Sequence, residues 1–531
     1  MATSHRQSSS PLAAQANPTD VPCPPVLASI VATIGPASES PDVVRRLINA
    51  GVCVFRFNFS HGSFDDHARR LRTVREAAES LGVAVACLGD LQGPKIRVGR
   101  IPEAVGEPSR SGGGSIDVRP GQDVILSRTV ELALVRTTDA GPEPVLPVTY
   151  APLVDEVRVG HKVLINDGAI RMLAVDHDAA KGELRCRVVV GGRITSGKGI
   201  NLPQSTLSVP AVTDQDWACV DWALAHDLDY LALSFVRRAA EVHALKEHLD
   251  DAARHGKPWI PVVAKIEMPA AVADLDAIVD ASDAIMVARG DLGVEMDLAL
   301  VPVIQKRILR VCAEYGKPCI VATQMLETMI DNAIPTRAEA SDVANAVLDG
   351  ADAVMLSAET ATGRHPALVV ETMARIVAAA EDLLRECPAE HHAPSRLAAA
   401  HRGTAALARG AFGVARDLGA VAVGCWSENA GTARYLSQNR FPVPILACSS
   451  DVRACRRMAL YRGVIPLHMT PPGTLSEWNS LMDKALIARA LAEPGDAVVL
   501  LAGRPLGQAK KTNTLTIHKV GEPTGFRQEL A

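Results

Sequence analysis

One pattern recurs eight times along this chain: a short run of apolar residues, then polar or glycine-rich residues, then a stretch of helical periodicity. The eight runs are Ser29–Gly35, Cys53–Ser60, Val83–Leu91, Tyr230–Val236, Pro261–Glu267, Ala284–Leu292, Cys319–Met325 and Ala353–Thr360. Near-continuous Val, Ile, Ala and Leu means that both faces of each strand are covered, as in a parallel sheet. Strand alternating with helix defines an α/β chain. Eight such units predict a closed (β/α)₈ TIM barrel, with an open doubly wound sheet as the competing arrangement. Aromatic residues make up only 3% of the chain, so its cores must be built from aliphatic side chains.

The polar residues gather where the strands end. Seven of the eight runs close on charged or amide-bearing residues, such as Arg56 to Ser60, Lys265 to Glu267 and Arg289 to Asp291. In a barrel those ends converge on the face where the connecting loops build a site. The rhythm breaks between the third and fourth runs. There the chain carries short β-like pieces with glycine turns, which predicts a small all-β domain inserted over that face as a lid. After about Glu386 fresh strands appear (Val421–Cys425, Pro444–Cys448, Ala497–Ala502), which predicts a separate C-terminal α/β domain. The expected organisation is an N-terminal arm without fixed structure at 1–25, barrel at 26–94, lid at 95–209, barrel again at 210–385 and a C-terminal domain at 386–531.

A formal net charge of −5 points to no general nucleic-acid or membrane partner. No apolar run approaches the roughly 18 residues of a membrane helix. The eleven cysteines form no CxxC pair and no zinc spacing, so they read as buried small hydrophobes in a reducing, cytoplasmic setting.

Spacing brings out a chemical cluster. Alternation along a strand puts Lys265 and Glu267 on one side of the fifth run. Asp291 closes the sixth. Two hard carboxylates from adjacent strands suit Mg²⁺, which fills its other positions with substrate oxygens and water. A salt bridge from Lys265 to either acid is an equal reading. Gly290 would let a ligand approach the backbone at a helix start. Arg56 and Asn58 share a side of the second run, with Ser60 next in step. Together with Arg97, Lys198 and Arg237 they place positive charge at the mouth of an acidic protein. That pattern implies an anionic, plausibly phosphorylated substrate.

Several strings in this chain resemble those of pyruvate kinases. They are Thr33 to Ser38, Asn58 to Gly62, Asp90 to Arg97, Lys265 to Glu267, Met286 to Gly293, Ala322 to Glu327, Pro335 to Glu339 and Ser341 to Ala346. They occur in order across about residues 27 to 520. The resemblance implies phosphoryl transfer from phosphoenolpyruvate to ADP, in a cytoplasmic homotetramer. It implies Mg²⁺ (or Mn²⁺) on Glu267 and Asp291, and Lys265 as the group that stabilises the phosphoryl in flight. Thr323 would protonate the enol, Arg56 would hold the substrate phosphate, and the Gly290 and Asp291 amides its carboxylate. Asn58, His61, Arg97 and Lys198 fall on the nucleotide side. Asn58, Ser60, Asp90 and the Leu91 carbonyl match a monovalent-cation site. Family members that carry Glu at the position of Lys95 contrast with those that carry Lys, and Lys95 with Leu91 and Gln92 implies a K⁺ that is dispensable. A phosphorylated effector is expected at Ser427 and Thr432, with Arg504, Lys510 and Lys511 in a later loop. Glu428 is a poor neighbour for it. The chain departs from the family at Ser29, Phe55, Phe57, Met268 and Ala358. Two other functions fit parts of the pattern: a metal-dependent aldolase or lyase of pyruvate-like acids, and a catalytically silent paralogue.

Overall fold

The computed structural model describes residues 26–103, 105, 107–108, 114–138, 141–386, 393–400, 402–503 and 512–522. The expected N-terminal arm and Arg504, Lys510 and Lys511 lie outside them. Eight strands close a barrel: β1 (Ser29–Thr33), β2 (Val52–Asn58), β3 (Ala86–Asp90), β4 (Tyr230–Leu233), β5 (Val262–Ile266), β6 (Ala284–Ala288), β7 (Cys319–Ala322) and β8 (Ala353–Leu356). Each pairs in parallel with its sequence neighbours, and β8 returns to β1. This is the (β/α)₈ architecture, not the open sheet.

Alternation sorts the side chains. Val31, Val54, Leu88, Ala232, Val263, Met286, Ile320 and Met355 fill the barrel interior. Their neighbours Phe55, Phe57, Leu231, Ile285 and Val321 pack outward against the helices. That placement accounts for the large side chains at positions 55 and 57: both are fully buried in the helix layer, away from the mouth. The other end of the barrel is plugged by the C-terminal domain. Ala459 and Leu460 belong to the interior cluster, Ser29 Oγ donates to Ala459 O at 3.1 Å and Tyr230 Oη donates to Arg457 O at 2.7 Å. Full burial of a side chain such as Leu460 is worth about 1.5–3 kcal/mol.

The strands are shorter than the sequence runs at their C-terminal ends. β6 stops at Ala288, and a helix, Arg289–Glu295, begins at once. Asp291 therefore lies in a helix's first turn rather than closing a strand. After β4, Phe235 turns left-handed (φ 54°), as do Thr323 (φ 70°) and Gln324 (φ 53°) after β7. The polar tails bend out of the sheet to aim backbone and side chains at the mouth.

Between β3 and β4 the chain builds a seven-stranded and a three-stranded sheet around their own core, from Ile96 to Leu202. Both crossings into this inserted domain are anchored. Gly93 leaves β3 with φ 68°, and a Cβ there would meet Phe235 at 2.9 Å. Its N–H donates to Asp216 Oδ1 at 3.1 Å. Asp216 in turn closes a capping box with Thr213 at the start of the helix Asp214–Ala225, so one carboxylate ties the outgoing crossing to the return. The C-terminal domain is a five-stranded sheet. Beyond the three expected strands it contains Val464–His468 and an antiparallel edge, Thr514–Lys519. Among the described residues no helix is long and apolar enough to cross a membrane, and the nine described cysteines are free thiols.

Candidate active site

Four charged side chains meet where β2, β3 and β5 end. Register sets Asn58 beside Asp90, with Arg56 one step inward. Arg56 Nε donates to Asp90 Oδ2 at 2.6 Å and its Nη1 to Thr33 Oγ1 at 3.1 Å. Lys265 Nζ lies 3.3 Å from Asp90 Oδ1 and 2.9 Å from Glu267 Oε1, and donates to Ser234 Oγ at 2.7 Å. Burial works against Lys265's charge, but Asp90 and Glu267 outweigh it and hold its pKa above that of an ordinary lysine. Burial would raise Asp90, yet Lys265 and Arg56 keep it below the usual carboxylate range. Glu267, fully buried, is raised chiefly by burial, with Lys265 opposing and Asp291 adding to the shift. The salt bridge allowed by spacing is thus present, and it leaves the acids and the lysine facing one another.

Glu267 is half satisfied. Its Oε2 accepts the Phe235 N–H at 2.6 Å, which the left-handed turn at Phe235 makes possible. Its Oε1 has the Lys265 ammonium at 2.9 Å but no hydrogen-bond partner. A buried carboxylate oxygen without a donor, next to Asp291 on the following strand's helix, suits a divalent cation that takes two carboxylates and leaves other positions for substrate oxygens. Among the described residues no group of three or more His, Cys, Asp or Glu offers an alternative cage.

The β6 and β7 ends form the opposite wall. Gly290 N donates to Thr323 Oγ1 at 2.7 Å, and Thr323 Oγ1 donates to Ala322 O at 2.6 Å. The Gly290 amide expected to face a substrate carboxylate is here occupied by the threonine hydroxyl. Glu359, fully buried after β8, accepts from Leu326 N at 3.3 Å and Ser357 N at 2.6 Å and so braces the loop beyond Thr323.

The remaining expected residues are distributed around this cluster. Asn58 Oδ1 accepts from Ser60 N at 3.2 Å, and the Leu91 carbonyl accepts from Ser234 Oγ at 2.7 Å. His61 is exposed at the rim. Arg97 and Lys198 lie on neighbouring segments of the inserted domain: Arg97 forms an isolated antiparallel bridge with Gly199, Val98 N donates to Lys198 O at 2.8 Å, and Arg97 Nη1 donates to Gly197 O at 3.0 Å. Lys95 reaches into the inserted domain, 3.9 Å from Asp167 Oδ1, rather than back toward Asp90. Arg237 is not free for a substrate. It is paired with Glu241 and donates to Leu207 O and Val209 O at 2.7 Å, so it fastens the return crossing. In the C-terminal domain Ser427 Oγ accepts from Ala433 N at 3.1 Å and Thr432 Oγ1 pairs with Thr512 Oγ1 at 2.6 Å. The Glu428 carboxylate is held by Trp426 Nε1 at 2.9 Å and by Ser450 Oγ.

A cavity of about 320 Å³ lies at the junction of inserted domain and barrel, lined by Lys95, Asn201, Phe235, Met268 and Glu295 among others. It borders the charged cluster without containing Arg56, Lys265, Glu267 or Asp291. Asn201 Nδ2 donates to Glu295 Oε1 at 2.8 Å, joining the two domains. Burial, opposed by the Asn201 bond and reinforced by Asp291 and Glu267, pushes the Glu295 carboxyl up to about 7. The folded chain therefore holds this proton more tightly than the unfolded one. The stability that results is complete below the unfolded carboxyl pKa and is lost as pH rises through about 7. Glu295→Gln, which keeps a neutral side chain at every pH, is expected to melt with the parent at about pH 4, below the unfolded carboxyl pKa, and above it at about pH 8.5, without added metal. A melting difference that stays flat with pH would contradict this.

A (β/α)₈ barrel with a buried lysine between carboxylates, an arginine beside them and an inserted β domain over the mouth fits a phosphotransferase, whose catalysis rests on charge neutralisation. Two family descriptions match the chain: pyruvate kinase, barrel domain, over residues 27–370, and pyruvate kinase, alpha/beta domain, over residues 405–518. The pyruvate kinase of Mycobacterium tuberculosis (strain ATCC 25618 / H37Rv) is 39% identical over 502 residues, 93% of this chain and 98% of that one. That of Geobacillus stearothermophilus is 37% identical over 495 residues, 93% of this chain and 80% of that one. The crystal structure of a pyruvate kinase from Cryptosporidium parvum superposes with a TM-score of 0.81 at 31% identity, covering 93% of this chain and 96% of that one. The chain belongs to the pyruvate kinase family and is a phosphotransferase.

Proposed function

We propose that this enzyme transfers the phosphoryl group of phosphoenolpyruvate to ADP, giving ATP and pyruvate, as the last step of glycolysis. The observation that carries the reading is the buried Lys265 held among Asp90, Glu267 and Ser234, beside Arg56. Glu267 and Asp291 would hold Mg²⁺ or Mn²⁺, whose charge stabilises the transferring phosphoryl and the enolate oxygen when bound. Arg56 positions the phosphate and Lys265 faces the charge that spreads over its oxygens in flight. The enol ester C–O–P linkage breaks at phosphorus, and a terminal ADP oxygen forms the new bond. The enolate left behind takes a proton at its methylene carbon. Arg97 and Lys198 on the inserted domain, with Asn58 and His61 at the rim, lie on the nucleotide side, and closure of that domain as a lid would exclude water. A lactate dehydrogenase-coupled assay with phosphoenolpyruvate and ADP tests the reading. Absence of pyruvate formation would leave a catalytically silent paralogue.

Thr323 sits where that proton arrives. A substrate carboxylate seated on the Gly290 N–H displaces Thr323 Oγ1 from it and frees the hydroxyl to relay a proton through water. Thr323→Val is expected to lower deuterium exchange at the pyruvate methyl, in Mg²⁺ and ATP, by about 100-fold and ATP formation far less. Equal loss of both would remove Thr323 from the relay.

The reading extends to K⁺. Asp90 is already balanced by Arg56 at 2.6 Å and Lys265 at 3.3 Å, and Lys95, on turning from Asp167 toward the mouth, would add a further cation. Attraction between an ammonium and a carboxylate or phosphate at about 4 Å is worth roughly 1 to 4 kcal/mol, comparable to one loosely held K⁺. Full activity is expected without K⁺, and Lys95→Glu should lower activity and make it K⁺-dependent. The control replaces K⁺ with tetramethylammonium at fixed ionic strength. An unmodified enzyme roughly tenfold faster in K⁺ than in that control would show that Lys95 stays with Asp167 and takes no part. A cytoplasmic homotetramer with an effector site at Ser427 and Thr432 completes the reading, although the engaged Glu428 carboxylate opposes a phosphate there.

A further inference from the structure

We infer that Arg289 is the positioning residue for proton transfer: it acts through Thr323, by clamping the left-handed backbone that presents the threonine hydroxyl. The inference rests on the phosphotransfer reading above and assigns a role to a side chain that the strand pattern alone leaves unread.

Thr323 is β-branched, and a β-branched residue at φ 70° is a conformational outlier that persists only where its surroundings over-determine it. The following residue, Gln324, is left-handed too, at φ 53°. Arg289 supplies the constraint. Its Nε donates to Ala322 O at 3.3 Å and its Nη2 to Thr323 O at 2.8 Å, so one guanidinium holds the carbonyls on both sides of the Thr323 α-carbon. The same Nη2 lies 2.7 Å from Met325 Sδ. The guanidinium is itself fixed from outside the site: Nη1 donates to Asp342 Oδ1 at 2.6 Å and to Gln305 Oε1 at 3.4 Å. Its side chain is 9% exposed, so it serves the interior and not solvent.

The chain geometry makes this an adjustment of the hydroxyl. Arg289 directly precedes Gly290, whose N–H donates to Thr323 Oγ1. Arg289 and Gly290 together thus fix the threonine's backbone and its hydroxyl from a single helix start. With both carbonyls pinned, arrival of a carboxylate at the Gly290 amide moves only the side chain of Thr323. Without the pins, the backbone relaxes toward ordinary angles and carries the hydroxyl away from the enol carbon. The planar, rigid fork matters here, because a lysine would reach one carbonyl at a time.

The test is a double-mutant cycle read on two half-reactions. Arg289→Gln is expected to lower deuterium exchange at the pyruvate methyl at least about tenfold more than it lowers ATP formation from phosphoenolpyruvate and ADP, with KM for phosphoenolpyruvate changed less than about threefold. In a Thr323→Val background the same substitution should reduce exchange by less than about twofold, because the residue through which it acts is already gone. Parallel loss of exchange and ATP formation, or a full further loss in the Thr323→Val background, would overturn the inference. Should Arg289→Gln not fold, Asp342→Asn loosens the outer anchor and is expected to shift the same ratio in the same direction, and an unchanged ratio would equally overturn it. Failure of the parent enzyme to form ATP would instead defeat the phosphotransfer reading, and is distinguished by that measurement alone.

Discussion

Lys265→Met is expected to lower kcat by about 10³-fold or more while leaving KM for phosphoenolpyruvate within a few-fold of the parent. The substitution keeps an unbranched side chain of similar length in a buried slot, so packing changes little. What it removes is the one ammonium that touches Asp90, Glu267 and Ser234 together. In the resting site that ammonium balances two buried carboxylates. On the proposed reaction it would face the equatorial oxygens of the phosphoryl group, where charge is greatest, and an interaction strongest there raises kcat rather than ground-state affinity. Because Asp90 and Glu267 hold its pKa above the ordinary lysine value, Lys265 stays charged at every working pH, and no limb of the parent's pH profile should belong to it. Steady-state kinetics with the coupled assay reads the result, alongside a thermal melt to exclude loss of folding. A variant whose main defect is in KM would show that Lys265 binds the ground state.

The features legible in the sequence were those written in short range. Strand periodicity gave the barrel, and alternation gave the Lys265–Glu267 and Arg56–Asn58 pairs, because a period of two needs only neighbouring residues. Runs of polar residues marked the mouth. The strands end sooner than the apolar runs, since apolar content does not report where the backbone turns left-handed at Phe235 or Thr323 or enters a helix at Arg289. Side chains whose partners come from far along the chain were invisible. Ser234 bridges Lys265 and the Leu91 carbonyl, and Arg289 draws its anchor from Asp342, 53 residues on. Arg237 is a further case: a cation at a mouth looks free in the sequence, but the carbonyls of Leu207 and Val209 lie on it. The short strand Val464–His468 is illegible in the sequence because a proline in the middle and a polar end dilute its pattern.

Glu267→Gln is expected to raise the Mg²⁺ concentration needed for half-maximal activity by about 100-fold or more, and chelation of divalent cations should abolish turnover of the parent altogether. The reason lies in the charge count of the cluster. Arg56 and Lys265 contribute two positive charges against the three carboxylates Asp90, Glu267 and Asp291, leaving the site one unit negative. A site of that sign draws a divalent cation and, once loaded, is one unit positive and draws an anionic substrate. Metal should therefore bind readily to the free enzyme, and phosphoenolpyruvate weakly without it. The amide oxygen that the substitution introduces can still accept the Phe235 N–H that Glu267 Oε2 takes at 2.6 Å, so the local turn survives. What is lost is the charge, together with the oxygen that has no hydrogen-bond donor of its own. Lys265, relieved of one acidic neighbour, turns wholly to Asp90, and the unloaded cluster becomes neutral. Titration of activity with Mg²⁺ at saturating substrates measures the shift, and tryptophan fluorescence or calorimetry with Mg²⁺ alone measures it without turnover. An unchanged Mg²⁺ dependence would mean that Glu267 serves only to hold Lys265, and that Asp291 with substrate oxygens binds the metal unaided.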